Sequence, residues 1–322
     1  MKYVSVLGGV NVDIKGISSD EKAGGDSHPG KVFFSAGGVA RNMAENISRL
    51  EMPVRLFGIT GKDVFGDYIY RDCIAKEIST EFLMQSADVR TSVYVTISNK
   101  TGGAFFAVND MKSAEEFLNA DLIKNNQESL KQSSVIVSDT NLKTEALNEA
   151  VKLAVENGIP VFIDADSSEK ALRVKEISGA VDFLSVNKAE FAELFKNCNF
   201  DSDEQILKSI NGGAFEKFKY VILKMDKDGV KIICSEEKII HSFKAIQTEI
   251  KEISGAGDAF NAGFIFSVMN DESGMYDITK AGRMGLCAAG FALRSYDSVS
   301  NEINKKSLTE FYNQKLNSDE FI

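Results

Sequence analysis

Short β-branched runs alternate with helix-forming stretches along most of this chain, and that alternation restricts the fold more than any other feature. Val4–Leu7, Val54–Phe57, Val135–Val137, Val161–Ile163, Phe183–Val186 and Tyr220–Leu223 read as core strands. Val39–Leu50, Lys143–Glu156 and Ala189–Lys196 read as helices in the intervals. Strand and helix in alternation predict an α/β fold, a mainly parallel sheet covered by helices in three layers. Glu156-Asn157-Gly158-Ile159-Pro160 marks one boundary, a helix stop followed by a strand start.

Two regions break the rhythm. Asn11–Gly16 with Lys31–Ser35, and Thr91–Ser98 with Gly103–Val108, alternate as half-exposed antiparallel strands do. Lys100-Thr101-Gly102-Gly103 supplies a hairpin turn, and Ser19–Gly30 reads as a loop. These strands predict a small sheet, spanning about residues 10–35 and 89–110, that projects from the main body and acts as a lid. No repeat or long linker interrupts the rest, so residues 1–322 read as one domain.

Composition narrows the function. The formal charge of −10, with no offsetting basic stretch, disfavours nucleic acid and anionic membrane as partners. An anionic ligand would have to be drawn in locally, by backbone donors, a metal or a few cations. The 4 cysteines are scattered, with no Cys-x-x-Cys pair, as free thiols of a reducing compartment would be. Only 2 histidines are present, which argues against a histidine metal site or a Ser-His-Asp triad. No stretch reaches membrane-spanning length and the start does not read as a signal peptide, so the expected location is cytoplasmic.

The densest chemical motif is Ser254-Gly255-Ala256-Gly257-Asp258-Ala259-Phe260, which runs into an apolar helix. Small residues permit a tight turn, and a helix start presents unpaired N–H donors that seat an anion. A carboxylate at that seat would repel phosphate unless it acts on whatever attacks the phosphate. Asp258 therefore points to phosphoryl transfer with an aspartate base, and Gly255, Ala256 and Gly257 to its anion hole.

Four further groups are candidates. In Gly8-Gly9-Val10-Asn11-Val12-Asp13, the carboxylate of Asp13 suits ligand hydroxyls, or caps its own turn. Gly37-Gly38-Val39-Ala40-Arg41-Asn42 opens a helix, with Gly38 allowing close approach and Asn42 offering donor and acceptor. It lacks the third glycine of a dinucleotide fingerprint, which disfavours a Rossmann dehydrogenase. Asn187 and Glu190 are spaced either to hold Mg²⁺ or to form a plain capping box. Lys224, after the strand Tyr220–Leu223, could meet a nucleotide phosphate or be a solvated turn charge.

Taken in order, these motifs resemble the ribokinase-like family of carbohydrate and nucleoside kinases over essentially the whole chain. The series is Gly8-Gly9-x-Asn11-x-Asp13, Gly37-Gly38-x-x-x-Asn42, Gly61-Lys62-Asp63-Val64-Phe65-Gly66, Asn187-x-x-Glu190 and Gly255-Ala256-Gly257-Asp258. Pro29-Gly30-Lys31-Val32, Asn109-Asp110-Met111 and Asp164-Ala165-Asp166-Ser167-Ser168-Glu169-Lys170-Ala171 are similar to its pseudouridine kinase branch.

The resemblance implies a Rossmann-like core, a β-lid that often makes a dimer contact, and MgATP as phosphoryl donor. It implies transfer to a primary hydroxyl, the 5′-OH of a ribosyl compound. Asp13, Gly38 and Asn42 would hold the sugar, Asp110 the base, Asn187, Lys224 and Gly229 the nucleotide, and Asn187 with Glu190 the Mg²⁺, through water. Where relatives carry Asp-Thr ahead of the glycine motif, this chain has Glu252-Ile253, which puts potassium activation in question. Two alternatives stay open: a kinase for another sugar or nucleoside, and a non-catalytic sensor on the same scaffold.

Overall fold

The computed structural model describes residues 2–19, 27–99, 104–196, 198–200, 202–271 and 276–317. Most of the Ser19–Gly30 loop and the Lys100–Gly103 turn expected from the sequence lie outside the described residues.

The strands are β1 (Tyr3–Leu7), β2 (Asn11–Ser18), β3 (Gly30–Gly37), β4 (Val54–Gly61), β5 (Leu83–Ser86), β6 (Ser92–Asn99) and β7 (Ala104–Asp110). They continue with β8 (Ser133–Asp139), β9 (Val161–Asp164), β10 (Val181–Asn187), β11 (Phe218–Lys224), β12 (Val230–Cys234) and β13 (Ile239–Phe243). A nine-stranded sheet runs β13-β12-β11-β10-β9-β8-β1-β4-β5. From β11 to β5 all neighbours are parallel, whereas β12 and β13 close one edge as an antiparallel hairpin.

Alternate residues along each central strand feed two separate cores, as a sheet covered on both faces requires. Val4, Val6, Val135 and Val137 pack on one side with Phe260 and Phe264 of the helix Ala256–Met269. Leu7 and Ile136 face the other, against Leu147 and Val151 of the helix Thr144–Glu156. Each core strand read from the sequence lies within an observed one. The unread β5, β12 and β13 lie toward the sheet's edges, where the apolar run is short or interrupted by polar residues.

The small sheet has the order β3-β2-β6-β7. Its outer pairs are antiparallel, but the central pair, β2 with β6, is parallel. The expectation of antiparallel strands throughout is corrected there. β2 follows β1 and β6 follows β5 after short connections; both leave the carboxyl end of the large sheet and run the same way. The register puts Ser35, Asp13, Tyr94 and Asn109 in one row on one face. On the opposite face, Val32, Phe34, Ile97, Phe106 and Val108 are exposed.

Candidate active site

In a mainly parallel sheet, ligands bind beyond the carboxyl ends of the strands. A cleft of about 430 Å³ lies there, and its lining includes Asp13, Asn42, Tyr94, Asn109, Asp166 and Asp258. Residues 216 positions apart in sequence, Asn42 and Asp258, meet directly across it: Asn42 Nδ2 donates to Asp258 Oδ2 at 2.9 Å.

Asp258 lies in the first turn of the helix Ala256–Met269, behind Gly255. Gly255 has φ of 80°, and a Cβ there would stand 1.8 Å from the carbonyl oxygen of Ser298. Only glycine fits both conditions. No side chain caps this helix, and its first main-chain bond of helical type runs from Ala259 N to Gly255 O at 2.9 Å. The helix start thus keeps free donors and the positive end of its dipole. Burial pushes the Asp258 carboxyl well above the usual carboxylate range, and the Asp164 charge adds to that. Asn42 and Lys224 pull it back toward ionisation.

The orientation of Asn42 is itself set. Arg41 Nη1 donates to Asn42 Oδ1 at 3.1 Å, which leaves the amide N–H groups to face Asp258. Arg41 is almost fully buried and is neutralised by Glu45 and Asp72. A buried guanidinium survives only with such partners. Nothing in the residue pattern of the helix Val39–Arg49 marks this role, and sequence reasoning missed it.

Asp13 projects from β2 into the same cleft, with Asn11 Nδ2 donating to its Oδ1 at 2.7 Å. Burial raises its carboxyl above the ordinary value, against that hydrogen bond. Gly38 has φ of 99° and packs so closely on Gly9 that a Cβ would lie 2.3 Å from its carbonyl oxygen.

A second missed residue, the carboxylate Asp139 at the end of β8, holds the floor together. It accepts from Gly9 N at 2.8 Å, Ala40 N at 3.1 Å and Asn141 N at 2.8 Å. Burial and the Asp166 charge push it up to about 7 against those donors. Apolar strands ending in Asp, as in Val135-Ile136-Val137-Ser138-Asp139 and Val161-Phe162-Ile163-Asp164, were the available signal.

On the β10–β11 side, Lys224 Nζ donates to Asp164 Oδ1 at 2.8 Å and lies 3.4 Å from where a Cβ on Gly257 would sit. Burial works against its charge, but Asp164, Glu190 and Asp258 together outweigh burial and the ammonium pKa is raised. Asn187 and Glu190 form a complete capping box at the helix Lys188–Leu194. Asn187 Oδ1 accepts from Glu190 N at 2.9 Å, while Glu190 Oε2 accepts from Asn187 N at 2.8 Å and Oε1 from Asn187 Nδ2 at 2.6 Å. Burial, then the Asp164 charge, push Glu190 up to about 7.

Two residues expected at the site lie elsewhere. Asp110 is half-exposed and pairs with Arg90 at 3.1 Å; its neighbours Asn109 and Met111 line the cleft instead, because side chains alternate along β7. Gly229 closes the β11–β12 turn with φ of 94°, where a Cβ would strike the Phe243 carbonyl oxygen at 1.9 Å. Its need for glycine is met by the turn alone.

Glu252 is also occupied: Oε2 pairs with Lys15 at 3.2 Å, and Oε1 accepts from Ile253 N at 2.9 Å and Ser254 N at 3.2 Å. Among the described residues no three His, Cys, Asp or Glu side chains are grouped to hold a metal, and no helix is long and apolar enough to cross a membrane.

A buried base candidate, an uncapped helix start and a polar acceptor cleft define a class of phosphotransferase that acts on hydroxyl groups. Residues 1–304 match the family model described as pfkB family carbohydrate kinase, and the chain belongs to that family. It is a sugar or nucleoside kinase of an ATP-utilising family. It is 29% identical over 262 residues to pseudouridine kinase of Escherichia coli (strain K12), covering 81% of this chain and 82% of the relative. A pseudouridine kinase of Arabidopsis thaliana is 25% identical over 356 residues, covering 92% of each. In fold it is similar to Arabidopsis thaliana ribokinase complexed with ribose and ATP, with a TM-score of 0.82 at 17% identity, covering 97% of this chain and 98% of that one.

Proposed function

We propose that this chain transfers the γ-phosphoryl group of ATP to the 5′-hydroxyl of a ribosyl nucleoside, with pseudouridine as the preferred acceptor. The observation that carries the chemistry is the Asn42–Asp258 hydrogen bond at an uncapped helix start facing Asp13 across one cleft. The choice of acceptor is supported by the two relatives named as pseudouridine kinases.

Asp13, Asn42 and Gly38 hold the ribose hydroxyls and set the 5′-oxygen against Asp258. Asp258 takes the hydroxyl proton as that oxygen attacks the γ-phosphorus and the bond to the β-phosphate oxygen breaks, releasing ADP. Its raised pKa suits a base that must accept the proton during transfer. The N–H groups of Gly257 and Asp258, behind Gly255, receive the charge of the transferring group, with Ala256 N–H joining them once it leaves its 3.4 Å bond to Ile253 O. Lys224 stands beside Gly257 to meet the nucleotide phosphates. The small sheet acts as the lid over the acceptor and excludes water.

Mg²⁺ fits the donor chemistry here. Asp164 and Glu190 are buried carboxylates beside Lys224, and Glu190 retains lone pairs beyond its capping bonds for bound water. Asn187 and Glu190 would hold the ion through water, and it would offset phosphate charge. Potassium does not fit at Glu252, whose charge is met by Lys15, so no step passes through it. The formal charge of −10 supports an enzyme without nucleic-acid or anionic-membrane partners, and in this reading it works in the cytoplasm. The exposed apolar face of the small sheet suits a homodimer contact.

The test is ADP release with pseudouridine, uridine, adenosine, ribose and fructose offered separately. The reading expects pseudouridine to give the highest kcat/KM. A preference for ribose or fructose overturns the nucleoside assignment, and ligand-induced thermal stabilisation without ADP release overturns the enzyme.

A further inference from the structure

The cleft contains a third carboxylate that the mechanism above does not use. Asp166 follows β9 and lines the cleft together with Lys170, one helical turn further on. The two are neither buried beyond reach nor free to wander: their side chains are 22% and 19% exposed. Lys170 Nζ donates to Asn141 Oδ1 at 2.6 Å and pairs with Glu115 Oε1, also at 2.6 Å. Its remaining direction faces Asp166 Oδ2 at 3.8 Å, too far for a hydrogen bond. Asn141 in turn hydrogen-bonds the Asp166 side chain, and Thr140 Oγ1 accepts from Asp166 N at 3.0 Å. The cation and the carboxylate are thus fixed side by side by other groups, 3.8 Å apart, and both line the cleft.

Position along the sheet separates this pair from the phosphate end. The strand order runs β11, β10, β9, β8, β1, so Lys224 and Asn187 lie on one side of β9, with Asn141 and the Gly8-Gly9 turn on the other. Asp13, Asn109 and Tyr94 reach the same cleft from the small sheet. With the sugar hydroxyls assigned to Asp13 and Asn42, Asp166 and Lys170 face what the sugar carries.

We propose that Asp166 and Lys170 form the subsite that reads the heterocycle of the acceptor, recognising a ring edge on which an N–H stands beside a C=O. Asp166 accepts from the ring N–H and Lys170 donates to the carbonyl oxygen. This rests on the nucleoside kinase reading above and adds the residues that select the base. Two bonds from its glycosidic carbon a C-linked uracil offers an N–H beside a carbonyl, where an N-linked uracil offers a C–H beside a carbonyl. A fixed carboxylate gains a charge-assisted hydrogen bond from the first and none from the second. A lone ribose engages neither residue.

The test measures kcat/KM for pseudouridine, uridine and ribose with wild type, Asp166→Ala, Asp166→Asn and Lys170→Met, each checked for an intact melting transition. The expected result is that the pseudouridine-to-ribose ratio falls by about 10- to 100-fold in Asp166→Ala and Lys170→Met, from loss of a charged hydrogen bond. Asp166→Asn keeps an acceptor oxygen and the packing, so its ratio falls less than that of Asp166→Ala. An equal loss on all acceptors, or an unchanged ratio, overturns the subsite while leaving the kinase reading standing. Wild-type protein that phosphorylates ribose but no nucleoside overturns both, and that result shows before any variant is made.

Discussion

Two helix starts, at Lys188–Leu194 and at Ala256–Met269, are finished in opposite ways. At the helix Lys188–Leu194, Asn187 and Glu190 satisfy each other's backbone N–H groups in a capping box. At the helix Ala256–Met269 the preceding residue is Gly255, no side chain caps the end, and Asp258 turns instead to Asn42. Both sequences place an Asn or Asp at or just inside a helix start. The second keeps the Asp258 N–H for a ligand, whereas the capping box of the first spends the equivalent Glu190 N–H on Asn187 Oδ1. A helix start functions as an anion seat where its cap is missing.

The largest effect expected from this contrast falls on Asp258. Asp258→Asn keeps the shape of the open end and the contact with Asn42, yet turnover should fall about 10²-fold or more with substrate KM little changed. Stopped-time assays of ADP release decide it; near-normal turnover removes the base from the reading. The same variant should melt higher, by about 2–4 °C, because a buried carboxyl with a raised pKa costs stability once ionised. The sign follows from the direction of the shift: the wild-type carboxyl's contribution is present below its unfolded pKa and lost as pH rises through the folded one. The gap in melting temperature between variant and wild type should therefore widen with rising pH.

Gly255→Ala attacks the same end through the backbone. A Cβ at positive φ and 1.8 Å from the Ser298 carbonyl forces the turn apart. A loss of about 2–4 kcal/mol in urea unfolding is expected, with loss of turnover. Unaltered stability would mean that the junction tolerates a side chain.

Glu190→Gln probes the closed end. Glutamine preserves the capping box but carries no charge, so a purely structural role predicts no change in metal requirement. Participation in holding Mg²⁺ through water predicts an apparent Mg²⁺ constant raised about tenfold, read by titrating the metal at fixed ATP. The smallest effect concerns Glu252: exchange of potassium for sodium should alter kcat less than about twofold, since Lys15 already supplies a cation there. A strong potassium requirement would show that another site binds it.

The layered fold was readable because parallel strands buried on both faces are continuous apolar runs, and Phe183–Val186 or Tyr220–Leu223 can hardly be anything else. The direction of β2 against β6 was not, because it depends on which end of the large sheet each strand leaves. Asp13, Asn42 and Asp258 could be picked out by type and motif, and they do share one cleft. Their mutual contacts could not, because the hydrogen bond from Asn42 to Asp258 joins distant parts of the chain. The role of Arg41 could not be read either, because it rests on packing among Glu45 and Asp72. Asp110 was misplaced by a single residue, which on a strand is the difference between one face and the other.

Asp139 has one more consequence, for anyone who reads function from a mutational scan. Its single carboxylate ties the glycine turn after β1, the start of the helix Val39–Arg49 and the end of β8 to one point. Replacing it would shift the walls that carry Asp13, Asn42 and Asn141 all at once, although Asp139 is not among the residues that line the cleft. A growth selection would score position 139 as intolerant as position 258, and only a folding readout taken beside the selection would tell a keystone from a reagent.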